Sequence, residues 1–139
     1  MENHVTLFID AHSVNEGFAR AAAAAFSAQL DPTMEELADI KTAVSEAVTN
    51  AIIHGYDGAD GTVTLSMHTK ENTLTFTISD RGRGIADVEK AMQPLYTSKP
   101  QLDRSGMGFT VMESFMDTLD VASRPGAGTT VILTKKIHG

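Results

Sequence analysis

Three polar residues recur at helical spacing in the middle of the chain. Glu46, Asn50 and His54 stand at positions i, i+4 and i+8, so they share one face of a predicted helix. That face lies largely away from the apolar stripe of the same helix. On this pattern alone, an ordinary solvated polar face is the favoured interpretation, and a functional role needs support from other segments.

An aspartate and two glycines follow directly after a predicted strand. Asp80 can accept a hydrogen bond from an exocyclic amine such as that of adenine. Gly82 and Gly84 would let the backbone approach a flat ring closely. A plain turn after a strand has the same composition, so a nucleobase contact and an ordinary turn both fit this segment.

A second glycine loop, residues 104–109, leads straight into a predicted helix. Free backbone N–H groups at a helix N-terminus can bind phosphate, although an ordinary helix start is the alternative. The sequence contains neither a P-loop nor the H-E-x-x-H zinc motif. The dinucleotide fingerprint also fails, because Asp87 and Val111 occupy the places of its third small residue.

Two helices are predicted ahead of the aspartate. Ser13 with Glu16, and Thr33 with Glu36, match capping boxes that would start them, and Gly55 is a natural terminator for the second. The inward stripe expected for the first helix consists of Val14, Phe18, Ala22, Ala25 and Gln29. The stronger apolar stripe of the second consists of Leu37, Ile40, Val44, Ala47, Val48, Ala51 and Ile52.

Five short segments alternate apolar and polar residues as half-buried strands do: 1–10, 63–67, 74–78, 119–123 and 130–134. The second and third are predicted to form a hairpin that turns at residues 70–72. The order is strand, two helices, two strands, loop, helix, two strands. It predicts an α/β (α+β) two-layer sandwich, with helices on one face of a mixed, mostly antiparallel sheet.

Length and composition fit one domain over residues 1–139. The absence of cysteine excludes disulfides and thiolate metal sites. A net charge of −7 without a basic cluster argues against direct nucleic-acid binding. No apolar run approaches the ~18 residues that a membrane span needs, and the N-terminus does not read as a secretory signal. We therefore expect a cytoplasmic protein, not bound to membranes, whose partners are proteins or small molecules.

The motifs are more specific together than alone. Segments 46–51, 80–84, 106–108 and 126–129 resemble, in order, the four boxes of the gyrase, Hsp90, histidine-kinase and MutL ATPase superfamily. Segments 45–56, 94–100 and 104–109 are more closely similar to its stand-alone anti-sigma serine kinases, above all the anti-sigma F factors of endospore formers. The resemblance covers nearly the whole chain and implies a Bergerat-type ATP-binding fold. Arg81 and Arg83 add positive charge that the aspartate box usually lacks.

The resemblance implies a role for each box. Asn50 would bind Mg²⁺, and Glu46 would be the general base that takes a proton from an incoming serine hydroxyl. Asp80 would bind the adenine of ATP, with support from Thr129. The other residues expected to contact ATP lie in the glycine boxes and in a lid over 92–105: Gly82, Gly84, Thr97, Lys99, Arg104, Ser105, Gly106, Met107, Gly108 and Phe109.

The resemblance further implies an anti-sigma factor that inhibits a sporulation sigma factor of the sigma F type. As a serine kinase, it would transfer the γ-phosphate of ATP to its anti-anti-sigma partner and inactivate that partner. An ATP-gated sigma-binding module with little or no kinase activity is the alternative, and a separated sensor-kinase domain is a third. A homodimer is also implied.

The first helix carries the expected partner surface. Glu16 and Arg20 stand at i and i+4, opposite the face assigned to Phe18, so both are expected to be exposed. An ordinary surface ion pair would show the same spacing. The resemblance implies instead that this face docks both the sigma factor and its antagonist.

Overall fold

The computed structural model describes residues 2–56, 60–82 and 108–139 of the chain. Strand β1 spans Asn3–Asp10 and is followed by helix α1, Asn15–Ser27, and a 3₁₀ turn, Ala28–Leu30. Helix α2, Met34–Asn50, continues as a π-helical turn, Ala51–Gly55. The remaining elements are β2 (Thr62–Lys70), β3 (Thr73–Asp80), α3 (Gly108–Phe115), β4 (Thr118–Arg124) and β5 (Gly128–Lys136).

The five strands form one sheet in the order β1-β2-β3-β5-β4, and each pairing is antiparallel. The predicted hairpin is confirmed: Glu71 and Asn72 have left-handed φ values of 51° and 63° in the turn between β2 and β3. Residues alternate between buried and half-buried along β2 and β3, because the described helices cover one face of the sheet. The two-layer sandwich predicted from the order of elements is therefore confirmed.

Helix α2 supplies much of the helical side of the core. Ile40, Val44 and Val48 are fully buried, as the predicted stripe requires, and they pack in one cluster with Leu65 and Phe76 of the sheet. Burying such side chains is the main favourable term in folding. This packing fixes the rotation of α2 and thus the direction of its polar face.

The N-terminal end of α2 is held by the predicted capping box, which is confirmed. The Glu36 N–H donates to Thr33 Oγ1 (3.0 Å), and the Thr33 N–H donates to Glu36 Oε1 (2.9 Å). The same carboxylate also accepts from the N–H groups of His138 (2.9 Å) and Gly139 (3.2 Å). These donors lower the pKa of Glu36 from 4.5 to about 2, so the carboxylate fastens the C-terminal tail to the helix start.

Helix α1 differs from its prediction in two respects. Ser13 does not cap the helix with its side chain; the Glu16 N–H donates to the Ser13 carbonyl instead (3.2 Å). The buried face consists of Ala19, Ala23, Phe26 and Ser27. The predicted inward stripe is wrong, because Val14 is 83% and Phe18 58% exposed. An alanine run has no size contrast between its faces, so the apolar period did not identify the side that packs on α2.

Candidate functional site

The polar face of α2 meets the start of α3. Gly108 lies so close to this face that a Cβ there would stand 3.0 Å from Asn50 Nδ2, 3.3 Å from Asn50 Oδ1 and 3.4 Å from Glu46 Oε2. The ends of both side chains therefore converge beside the N-terminus of α3. A side chain at position 108 would press on them, which explains why glycine suits this position. The structure thus brings together Glu46, Asn50 and Gly108, which the sequence had assigned to one site.

The helix changes type at Asn50. The sequence predicted a regular helix up to Gly55, but α2 ends at Asn50 and the backbone widens into the π-helical turn Ala51–Gly55. The regular i, i+4 spacing therefore holds for Glu46 and Asn50 and stops after them. Single π-helical turns occur frequently at functional sites, because they redirect the chain without ending the helix.

Asp80 ends the central strand β3 as a buried carboxylate. Its residue is only 8% exposed, and burial raises the pKa of its carboxyl group above 3.8. Hydrogen bonds from the N–H groups of Gly82 (2.9 Å to Oδ1) and Thr129 act in the opposite direction. Burying the Asp80 carboxylate costs stability, and the carboxylate remains able to accept a hydrogen bond from a ligand.

The neighbouring strand β5 supports Asp80. Thr129 is its cross-strand partner, and the Thr129 Oγ1 lies 2.7 Å from Ser123 Oγ of β4. Gly128 has a φ of +97°, and a Cβ there would stand 2.1 Å from the Asp80 carbonyl oxygen. Only glycine fits this approach. Sequence reasoning missed Ser123, although strand alternation placed it at the end of β4, beside the glycine–threonine box.

Two further predicted residues have clear positions. Gly82 contributes its backbone N–H to the Asp80 carboxylate. The Phe109 side chain belongs to the hydrophobic core with Met112 and is 9% exposed. Seven predicted ATP-binding residues, and the predicted lid over 92–105, lie outside the described residues: Gly84, Thr97, Lys99, Arg104, Ser105, Gly106 and Met107.

The predicted partner residues lie on α1. Arg20 Nη1 stands 3.4 Å from Glu16 Oε1, and the Arg20 side chain is 47% exposed. The Glu16 side chain is only 24% exposed, because it also accepts a hydrogen bond from Ser45 Oγ of α2. The expectation of an exposed Glu16 is thus only partly met. The Phe18 side chain is exposed to solvent and does not belong to the core, contrary to the prediction.

The described residues contain neither a cluster of metal-binding side chains nor a helix that could span a membrane. Within residues 2–56, 60–82 and 108–139, no group of three or more His, Cys, Asp or Glu side chains is placed to hold a metal ion. In the same ranges no helix has the length and apolar character of a bilayer span. The site therefore rests on single polar residues from several elements.

Comparison with known proteins identifies the family and the fold. Residues 10–135 match the family described as the histidine kinase-like ATPase domain. Crystallised RsbU and RsbW domains of a Mycobacterium tuberculosis protein share the fold, with a TM-score of 0.69 and 21% identity. That match covers 97% of this chain and 32% of the other. The fold and site thus define an ATPase-type nucleotide-binding domain.

The curated relatives are more specific. The anti-sigma F factor of Clostridium acetobutylicum is 56% identical over 136 residues, which cover 98% of this chain and 95% of the relative. The anti-sigma F factor of Halalkalibacterium halodurans is 57% identical over 138 residues, 99% and 94% of the two chains. The chain belongs to the histidine kinase-like ATPase family and, within it, to the family of the anti-sigma F factors.

Proposed function

We propose that the protein is an anti-sigma factor that inhibits a sporulation sigma factor and phosphorylates a serine of its anti-anti-sigma partner with ATP. The observation that carries the proposal is the convergence of Glu46 and Asn50 at the N-terminus of α3. It provides a carboxylate and an amide beside backbone N–H groups, as a phosphoryl-transfer site requires. Near full-length identity to anti-sigma F factors supports the regulatory part.

The donor set fits Mg²⁺ held largely by ATP itself. Mg²⁺ prefers oxygen ligands and keeps phosphates and waters among them, so one amide oxygen from Asn50 is a sufficient protein ligand. When bound, the ion neutralises charge on the phosphates. Asp80 holds the adenine amine at the other end of the site, supported by Thr129 and by the N–H of Gly82.

Glu46 is the proton acceptor in this proposal. It takes the proton of the partner's serine hydroxyl while the hydroxyl oxygen forms its bond to the γ-phosphorus. The bond from that phosphorus to the β–γ bridging oxygen breaks, and ADP leaves with the electron pair. The product is a phosphoserine on the anti-anti-sigma protein.

The exposed side of α1 is the proposed partner surface. Val14 and Phe18 are exposed apolar side chains at the start of α1, and Arg20 is an exposed cation on a different face of the same helix. Exposed apolar side chains and arginine are each typical of protein contacts, so α1 offers two candidate faces. If the sigma factor and the anti-anti-sigma protein both dock here, they compete, and binding of one releases the other. We also propose a cytoplasmic homodimer.

The proposal is tested by incubating the protein with radiolabelled ATP, Mg²⁺ and purified candidate anti-anti-sigma proteins. We expect label on a serine of the cognate partner, and sigma-factor capture in a parallel pull-down with ATP. Sigma capture without any labelled partner would favour the ATP-gated binding module over the kinase. The proposed function is contradicted if no partner is labelled and no sigma factor is captured.

A further inference from the structure

Tyr56, the residue directly after the π-helical turn, connects this turn with the start of β2 and the end of β3. Its hydroxyl donates to the Thr62 carbonyl oxygen at the start of β2 (2.6 Å). The same oxygen accepts the N–H of Arg81, the residue after Asp80, at 2.9 Å. One phenol oxygen therefore connects the end of the helix that carries Glu46 and Asn50 with the end of the strand that carries Asp80.

The ring of Tyr56 is held as firmly as its hydroxyl. It lies on Gly61, where a Cβ would stand 2.3, 2.4 and 2.6 Å from three ring carbons, so only glycine leaves room for it. The ring also packs against the hydrophobic core. Because packing fixes the ring, the hydroxyl is delivered to a defined point.

The Tyr56 hydroxyl fixes the orientation of the peptide group between Asp80 and Arg81. Tyr56 holds the Arg81 N–H on one side, and the backbone of Gly128 presses against the Asp80 carbonyl on the other. The next N–H, from Gly82, donates to the Asp80 carboxylate. The direction of the carboxylate therefore depends on a short backbone segment that Tyr56 fixes from one side.

We propose that Tyr56 is a positioning residue for adenine recognition, acting through the backbone of Arg81 on the carboxylate of Asp80. The inference rests on the proposed role of Asp80 in binding the adenine amine. The same side chain links the end of the helical segment that carries Glu46 and Asn50 to the backbone that follows Asp80. Phenylalanine would keep the ring packing and lose both hydrogen bonds.

The test compares ATP with inosine triphosphate, which lacks the exocyclic amine, by calorimetry on the full chain. Tyr56→Phe is expected to weaken ATP binding about three- to tenfold, the effect of one or two neutral hydrogen bonds, and to leave inosine triphosphate binding unchanged. The preference for ATP should therefore shrink. Ser27→Ala, which removes a buried hydroxyl bonded to the Ala23 carbonyl (2.7 Å), is the matched control and should change neither affinity.

Asp80→Asn in the same assay separates the possible failures. If it removes the preference for ATP and Tyr56→Phe does not, Asp80 keeps its role and the inference about Tyr56 is wrong. If Asp80→Asn leaves the preference intact, the proposed role of Asp80 fails and the inference fails with it. The double variant should bind ATP no more weakly than Asp80→Asn alone; additive losses, or equal losses for both nucleotides, would make Tyr56 merely structural.

Discussion

The two ends of helix α2 carry glutamates in opposite circumstances. At the first end, Glu36 receives N–H donors from its own capping box and from the C-terminal tail, and its pKa falls to about 2. At the other end, Glu46 lies with Asn50 against Gly108, where the α-helix gives way to a π-helical turn. Glu36 serves the fold, and we propose that Glu46 serves the reaction with ATP.

The difference shows how one helix can serve both needs. A polar group whose hydrogen bonds are satisfied within the chain adds stability, whereas a functional group has to keep capacity for a ligand. Asp80, at the end of β3, shows the cost of a buried carboxylate, since burial raises the pKa of its carboxyl group. Matched changes at the two ends of α2 should therefore affect different measurements.

Glu46→Gln should have the largest effect. Glutamine keeps the size of the side chain but cannot accept the serine proton, and losing a general base costs about 10²–10⁴ in rate. We expect phosphorylation of the partner to fall by that factor, with ATP affinity and melting temperature near those of the parent. Single-turnover kinetics would measure it, and a parent-like rate would exclude Glu46 as the base.

Arg20→Ala should come next, since it tests whether the site end of α2 is linked to a partner surface. Arg20 pairs with Glu16, which in turn accepts from Ser45, the neighbour of Glu46. Losing one charge-assisted contact should weaken sigma-factor binding by about tenfold or more, with folding and ATP binding unchanged. Surface plasmon resonance measures this. Lys136→Ala removes an exposed cation of the sheet and serves as the control. Equal losses of sigma-factor affinity for both variants would mean that Arg20 forms only an ordinary surface ion pair.

Glu36→Gln should have the smallest effect, and on stability only. Loss of the charged cap should cost about 1 kcal/mol, with kinase rate unchanged. The pKa of Glu36 is depressed in the fold, so its stabilisation is fully present above pH ~4.5 and is lost as pH falls towards about 2. As the pH is lowered over that range, the melting temperature of the variant should therefore fall less steeply than that of the parent. A parent-like pH profile would contradict the clamp on the C-terminal tail.

Local patterns sufficed for elements whose signals are strong. The stripe of α2, the capping box at Thr33 and the hairpin turn at Glu71 and Asn72 all formed as predicted. In α1 the alanine run carried too little contrast, so Phe18 was assigned to the core although the smaller Ala19 and Ala23 pack there. Local propensity also favoured Ser13 as a cap, which tertiary packing did not use.

Contacts between distant segments were beyond the reach of local patterns. Glu36 was predicted as a cap, but its bonds to His138 and Gly139 depend on where the last strand ends. The link from Tyr56 to Arg81 likewise requires the sheet to bring the two together. The motif resemblance named Asp80 and Thr129, and only the register of β3 against β5 explains how they support each other.

The central claim is that a buried carboxylate at the end of β3 binds the adenine of ATP in a site shared with Glu46 and Asn50. Titration calorimetry of ATP with Mg²⁺ on the parent and on Asp80→Asn tests it most directly. Losing the partner of the adenine amine at this buried position costs about 1–3 kcal/mol, so we expect roughly five- to 150-fold weaker binding by the variant. Equal ATP affinity for the two folded proteins would contradict it.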